Sequence, residues 1–304
     1  MDINNITLVK NNITSCNYHR IRLPFSQMGI ESKKNAPLCI FNRFPDFNLV
    51  TFRQMKKQGI RFIMDIDDSP FLNPHNPLYE KSIKNYDIER EIELLRNVDM
   101  VWTTTERLRD ILYMYNQNIL VIPNSIPFGK DQFSDNTVPY EERNGTIYAG
   151  ESSHQEDLSI ISGISGITFA GYKENEYFKN IKKEFPEAKF IRHCNLDCYM
   201  DVYNGMEMSI APLIYNSFNE CKSNLKILEA GCKGIPVICS KIEPYLHDHV
   251  LMARSRIEFE YWISIMHKDK SRQIDCGRSL QDYVITNYNM TYINELRRQA
   301  IVSL

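Results

Sequence analysis

The segment Phe218–Ser240, FNECKSNLKILEAGCKGIPVICS, gathers side chains suited to holding a charged ligand. Lys222, Lys226 and Glu229 recur at i, i+4 and i+7, which on a helix is one face. Ser223 is of the residue type that caps helices, and Leu225, Leu228 and Cys232 form an apolar stripe at helical spacing. A helix amino terminus offers unpaired N–H groups and the positive end of a dipole, so with Lys222 beside it this corner suits an anion. Glu229, one turn further on, can accept hydrogen bonds from a ribose diol. A phosphate grip beside a sugar grip is what a nucleotide ligand needs. The same spacing also fits a solvated helix with an i,i+4 lysine pair.

Other positions carry chemistry of their own. In MDIDDSP (64–70), Asp65 and Asp67 point to one face at the carboxyl end of a strand, and Asp68 follows in the loop. Paired carboxylates of this kind can hold a divalent ion, or one of them can accept a proton. Asp68 reads equally as an N-cap or a loop carboxylate. His154 in SSHQEDL suits a contact to an anionic ligand; the alternative is a first-turn helix histidine behind a Ser152 or Ser153 cap. Arg20 and Arg22 share a face if the backbone is extended, with Ile21 opposite. Asn124, after Pro123 at a strand end, reads as a turn former. Gly150 and Gly171 stand at strand ends, where they allow close backbone approach. Cys194 and Cys198 are four apart, but no second pair at zinc spacing accompanies them, so no structural zinc is expected.

These residues need a scaffold, and the hydrophobic pattern supplies one. Strands are predicted over 6–10, 36–42, 61–67, 99–105 and 119–124, with helices over 78–97 and 106–116. The segment 126–144 has two prolines, several acids and no sustained periodicity, and reads as a connection between domains. The alternation then restarts: strands over 146–150, 167–172, 188–193, 208–213 and 235–240 alternate with helices over 154–164, 176–185, 196–206 and 223–232, and the tail from Glu258 reads as helical. Repeated strand–helix alternation means parallel sheets covered by helices on both faces. The expectation is an α/β chain of two Rossmann-like domains facing across a cleft, with ligands beyond the carboxyl ends of the strands.

Composition agrees. A chain of 304 residues exceeds what one core usually organises. With 43% hydrophobic and 24% charged residues it is neither disordered nor fibrous. Lys+Arg 36 against Asp+Glu 38 leaves no global basic field for a polyanion, although a local patch stays open. No run approaches the ~18 apolar residues needed to span a bilayer, and the amino terminus lacks the pattern of a signal peptide. Cys39, Cys232 and Cys239 lie inside apolar runs, as reduced buried thiols do, so a cytoplasmic protein is expected.

Taken in order, IAPL (210–213), FNECKSNLK (218–226), ILEAGCKGIPVICS (227–240) and EPY (243–245) resemble the C-terminal domain of GT-B glycosyltransferases of the family 4 type. TIYAGESSHQEDL (146–158) resembles that domain's first strand and phosphate loop, IPNSI (122–126) the strand end before the crossing, and NYHRIRLP (17–24) an N-terminal segment of some members. The family's usual signature is two glutamates separated by seven residues. Its second matches Glu229 and its first falls on Cys221, with Glu220 one place off. A Lys-Ser-Asn-Leu-Lys branch replaces the first glutamate, and this chain is similar to that branch.

The resemblance implies an acceptor domain over 1–140, a nucleotide-sugar domain over 141–285 and a C-terminal helix over 286–304 that packs back on the first. It implies transfer of a sugar from a nucleotide-diphosphate donor to an acceptor hydroxyl, with retained configuration, no metal and no cofactor beyond the donor. Donor contacts would come from Gly150, Ser152, Gly171, Cys194, Lys222, Ser223, Asn224, Leu225, Lys226 and Glu229. Lys222, Glu229, Asp67 and His154 would carry catalysis, with Arg20, Asp65 and Asp68 on the acceptor side. The acceptor would be a glycan or lipid-linked sugar. The Asn-, Ile- and Lys-rich composition also suggests an AT-rich genome such as a phage's, where a hydroxymethylated DNA base is an acceptor. A catalytically silent nucleotide-binding or assembly protein on this scaffold, and a nucleotide-sugar epimerase, are the competing readings. In metal-dependent GT-A enzymes an Asp-x-Asp like Asp65–Asp67 binds the ion, but such a chain has one nucleotide-binding domain rather than two restarting units.

Overall fold

The computed structural model describes residues 1–9, 14–72, 74, 76, 79–150, 154–173 and 175–304. Ser152, expected on the donor, and Ser153, its alternative as a cap, lie outside the described residues, as do Lys10 and Leu78 at the ends of an expected strand and helix. The chain divides into two compact units. Unit 1 comprises 1–125, 221–223 and 290–304; unit 2 comprises 126–220 and 224–289. The segment 126–144, expected as a connection, is therefore part of unit 2.

Unit 1 is built on five parallel strands, β1 (Ile6–Leu8), β2 (Leu38–Asn42), β3 (Arg61–Ile66), β4 (Met100–Thr103) and β5 (Ile119–Val121), in the straight order β1-β2-β3-β4-β5. Alternation along the strands sorts their side chains onto two faces. Leu38, Ile40, Ile63, Met100 and Trp102 join one core. Cys39, Phe41, Phe62, Met64, Ile66 and Val101 join the other. Right-handed crossovers that always step the same way deposit their helices on one side of a sheet. That second core accordingly receives Phe52 of α3 (Leu49–Lys57), Leu94 and Leu95 of α5 (Asp87–Asn97), and Leu108 and Leu112 of α6 (Glu106–Leu112). The first needs cover from elsewhere. Phe25 of α2 (Leu23–Gln27) supplies part of it, and Ile293, Ala300 and Ile301 of the last helix, α11 (Met290–Ser303), supply the rest.

Several local expectations change. The segment 15–27 is helical, not extended: α1 (Ser15–Asn17) passes through a π-helical turn, Tyr18–Arg22, into α2. Arg20 and Arg22 thus lose the shared face that an extended backbone would give them. The helix expected over 78–97 is two, α4 (Tyr79–Lys84) and α5, broken where Tyr86 takes a left-handed backbone at φ 54°. Helix α3, LVTFRQMKK, was not among the expected elements, although Leu49, Phe52 and Met55 stand three apart and all pack on the second core.

Unit 2 holds six parallel strands: β6 (Thr146–Ala149), β7 (Ile167–Tyr172), β8 (Lys189–Arg192), β9 (Met208–Ala211), β10 (Val237–Ser240) and β11 (Leu251–Ala253). Their order, β11-β10-β9-β6-β7-β8, reverses between β6 and β9. Chains on the two sides of such a reversal leave the sheet in opposite directions and open a crevice at the carboxyl ends, where ligands bind in open α/β sheets. The helices are α7 (Glu176–Glu184), α8 (Leu225–Cys232), α9 (Arg256–Lys268) and α10 (Lys270–Tyr288). Segments 154–164 and 196–206, expected as α-helices, contain instead the 3-10 turns Glu156–Ile161 and Tyr199–Tyr203, and β11 was not expected. Helix α8 packs on α10 through Gly231: a Cβ there would lie 2.7 Å from Val284 Cγ2 and 3.1 Å from Leu280 Cγ. This contact fixes the helix that carries Lys226 and Glu229.

Candidate functional site

At the reversal in unit 2, the carboxyl end of β6 is a corner where glycine lets its neighbours approach closely. A Cβ on Gly150 would stand 2.6 Å from the Tyr148 hydroxyl and 2.8 Å from Lys226 Nζ, and one on Gly171 would stand 2.9 Å from Gly150 O. Gly171 also has φ 93°, a conformation that side chains rarely tolerate. Lys226 Nζ donates to Ala149 O at 2.7 Å and lies 5.1 Å from the centre of the Tyr148 ring. A cation is thereby held against the end of β6.

Glu229 follows Lys226 by three residues and is 8% exposed. Tyr203 Oη donates to its Oε2 at 3.1 Å, and Tyr199 donates to it as well. Burial raises this carboxyl above the ordinary carboxylate value, while Lys226 and the two phenols pull it down. His154 is held by a second acid: its Nδ1 lies 2.8 Å from Asp157 Oδ2. Asp157 Oδ1 accepts from Ile214 N at 3.0 Å and from Asn219 Nδ2 at 2.8 Å, so one carboxylate joins the segment after β6 to the segment after β9. Both segments leave the sheet at the reversal.

Lys222 and Ser223 behave differently. Helix α8 starts at Leu225, and Asn224, not Ser223, occupies the cap position, without a side-chain capping bond. Lys222 therefore precedes the helix and does not share a face with Lys226 and Glu229. These two residues belong to unit 1, where Lys222 Nζ pairs with Asp68 Oδ1 at 3.6 Å and Ser223 Oγ accepts from Asn124 Nδ2 at 2.7 Å. Asn124, read as a turn former, is a buried linker whose Oδ1 accepts from Arg20 Nη1 at 3.1 Å. Cys221, where the signature's first glutamate would fall, is a buried thiol in the second core of unit 1. Cys194 is half-buried and hydrogen-bonded to Cys198; burial, then Cys198, raise its thiol.

The acids in and just after the end of β3 are mostly neutralised inside unit 1. Asp65 faces the core covered by α11, and both of its oxygens are taken by Arg20 at 2.8–3.1 Å, with the two side chains fully buried. Arg20, expected at a cleft, is a buried partner: it also donates to Ile122 O at 2.8 Å. Asp65 and Asp67 do lie to one side, since Asn42 Nδ2 reaches them at 3.2 and 3.4 Å. But Asp65 has no carboxylate oxygen left outside its arginine pair, which does not fit a metal-binding Asp-x-Asp. Among the described residues no group of three or more His, Cys, Asp or Glu is arranged to hold a metal ion. Asp67 is raised above the usual carboxylate range by burial and by Asp68, against the pull of Arg43. Arg43, missed in the sequence, is anchored on buried Glu91 through two bonds of 3.1 Å. Its charge type was visible; its partner, 48 positions away, was not.

No protein-family model matches the chain, and a search of curated proteins finds no match. Solved structures do match in shape. Sucrose-phosphate synthase from Thermosynechococcus elongatus aligns over 93% of this chain and 77% of its own, at 14% identity and TM-score 0.64. Anabaena HepE in complex with UDP-glucose aligns over 88% of this chain and 79% of its own, at 11% identity and TM-score 0.65. Trehalose-6-phosphate synthase from E. coli bound with UDP-2-fluoro glucose aligns over 88% and 73%, at 12% identity and TM-score 0.57. The fold is GT-B. Its two parallel sheets, of five and six strands, are those of glycosyltransferase structures. Among the described residues no helix is long and apolar enough to cross a membrane.

Proposed function

We propose that this chain transfers a sugar from a nucleotide-diphosphate donor to an acceptor hydroxyl, as the family 4 resemblance implies. The observation that carries the reading is the reversed strand order of unit 2, with the glycine corner, Lys226 and buried Glu229 gathered at the β6 end. Fold neighbours in complex with UDP-glucose, and with UDP and glucose, support it. In this reading unit 2 takes the donor and unit 1 the acceptor, a glycan, a lipid-linked sugar or a hydroxymethylated DNA base.

The barrier lies in separating a diphosphate from an oxocarbenium-like sugar. Preorganised cations and N–H donors that meet the growing negative charge are commonly worth about 3–4 kcal/mol each. Lys226 and the backbone at Asn224, both of unit 2, take that role, and Glu229 takes the ribose. Because these groups supply the positive charge, the step runs without a metal. Attack on the face that the diphosphate leaves retains the configuration without a protein nucleophile. Asp67, whose carboxyl is raised above the ordinary range by burial and by Asp68, orients the acceptor hydroxyl.

A second reading, a catalytically silent nucleotide-binding protein, draws on Cys221: where the signature has a carboxylate, this chain has a buried thiol in an apolar core. One experiment separates the two. Thermal stabilisation by a panel of UDP-, GDP- and ADP-sugars identifies the donor, since a ligand of the folded state raises Tm. Donor hydrolysis or transfer by the purified protein then supports the enzyme. Stabilisation without turnover supports the silent reading, and no stabilisation by any nucleotide sugar overturns both.

A further inference from the structure

The short turn Tyr199–Tyr203 belongs to none of the motifs that suggested a nucleotide site, yet both of its tyrosines hydrogen-bond Glu229. Tyr203 is 1% exposed, and its hydroxyl meets Oε2 at 3.1 Å. Tyr199 is half-buried and packs edge-on against Phe133, at 6.3 Å between ring centres. The turn is itself secured: Gln132 Oε1 accepts from Met200 N at 3.0 Å, and Gln132 Nε2 donates to Leu196 O at 2.7 Å. All of these residues belong to unit 2.

A buried carboxylate is costly unless hydrogen-bonded, and free rotation of its end torsion would spoil its aim. Two phenols from one rigid turn address both problems, because they satisfy part of the charge and fix the plane of the group. A carboxylate offers about four acceptor directions, so two phenols leave capacity for a vicinal diol. We propose that Tyr199 and Tyr203 are positioning residues that aim Glu229 at the ribose hydroxyls and so make the site selective for ribonucleotides over dideoxyribonucleotides. The inference rests on the nucleotide-binding part of the reading above and adds the source of its sugar selectivity.

Binding of UDP, GDP and ADP, and of their 2′,3′-dideoxy counterparts, is measured by calorimetry on the full chain. Hydrogen bonds to a charged group are worth about 1.5–3 kcal/mol, so the wild type should prefer the ribonucleotide by about 10- to 100-fold. Tyr203→Phe should cut this preference at least about fivefold, leaving dideoxynucleotide affinity within about threefold, and Tyr199→Phe should do the same more weakly. Glu229→Gln should bring the two affinities close together. A merely structural tyrosine would weaken both nucleotides equally and leave their ratio intact, as a double-mutant cycle separates. An unchanged ratio in both folded tyrosine variants, or a wild type that binds both sugars equally, overturns the clamp while the nucleotide site stands. A wild type that binds none of the three diphosphates overturns the site itself. Should Tyr203→Phe fail to fold, Tyr199→Phe alone decides.

Discussion

The two sheets differ in one topological respect, and their carboxyl ends differ accordingly. In unit 1 the strand order never reverses, and the acids in and just after the end of β3 are absorbed internally: Asp65 by Arg20, Asp68 by Lys222, while Glu91 anchors Arg43. In unit 2 the order reverses at β6 and β9, and Lys226 and Tyr148 pack closely against a glycine corner. A buried ion pair organises a structure; a cation and a carboxylate braced from behind at a crevice are ready for a ligand. The same residue types thus serve stability in one unit and recognition in the other.

The largest expected effect would break the comparison from the side of unit 1. Arg20→Met leaves Asp65 buried and uncompensated, and should cost about 3–5 kcal/mol in chemical denaturation, with much of the loss recovered in Arg20→Met/Asp65→Asn. Equal instability in the double variant would mean that the arginine acts through its other bonds, to Ile122 and Asn124. Next comes Lys226→Ala, which should lower transfer about 100-fold with the fold intact. Near-normal turnover would leave this lysine a partner of Ala149 O and the Tyr148 ring and nothing more.

Gly150→Ala tests the corner. The added Cβ would have to displace Lys226 Nζ or the rigid Tyr148 hydroxyl. Nucleotide affinity should fall about tenfold at a stability cost of about 1–3 kcal/mol; unchanged affinity would show that the close approach at Gly150 is only a packing accident. The smallest effect concerns acid stability. Burial, with Arg20 nearby, lowers His19 of unit 1 from 6.5 to about 3, and burial, with His249, lowers His247 of unit 2 to about 4. The unfolded chain then binds more protons, so the stability these groups contribute is complete above pH 6.5. It is lost as pH falls toward 4 for His247 and toward 3 for His19. His247→Phe, which keeps a ring against Tyr283, should flatten the slope of stability between pH 6.5 and 4, and His19→Phe should flatten it over the longer range. Parallel curves for the variants and the wild type would remove these imidazoles as the cause.

Some of this was legible early. The period-two and helical patterns marked most strands and the helix of Lys226 and Glu229, because alternation is local. Gly150 and Gly171 were suspicious as glycines at strand ends. His154 and Asp157 stand three apart in SSHQEDL, so their pairing could have been suspected from spacing. Nothing in the sequence connected Tyr203 to Glu229, or Arg20 to Asp65, since those partners are 26 and 45 positions apart.

What the amino-acid order determined by itself is therefore the set of elements and the chemical kinds available at their ends. Tertiary structure alone decided which charges are spent and which are kept. Asp65 and Glu229 are both buried carboxylates near a cation, but the one lies under α11 against a guanidinium that takes both oxygens. The other is braced by two phenols beside the reversal of a sheet. Periodicity follows from the backbone's own geometry and can be read along the chain. The neutralisation of a charge depends on whatever distant segment the fold brings within about 3 Å, and no local pattern encodes that.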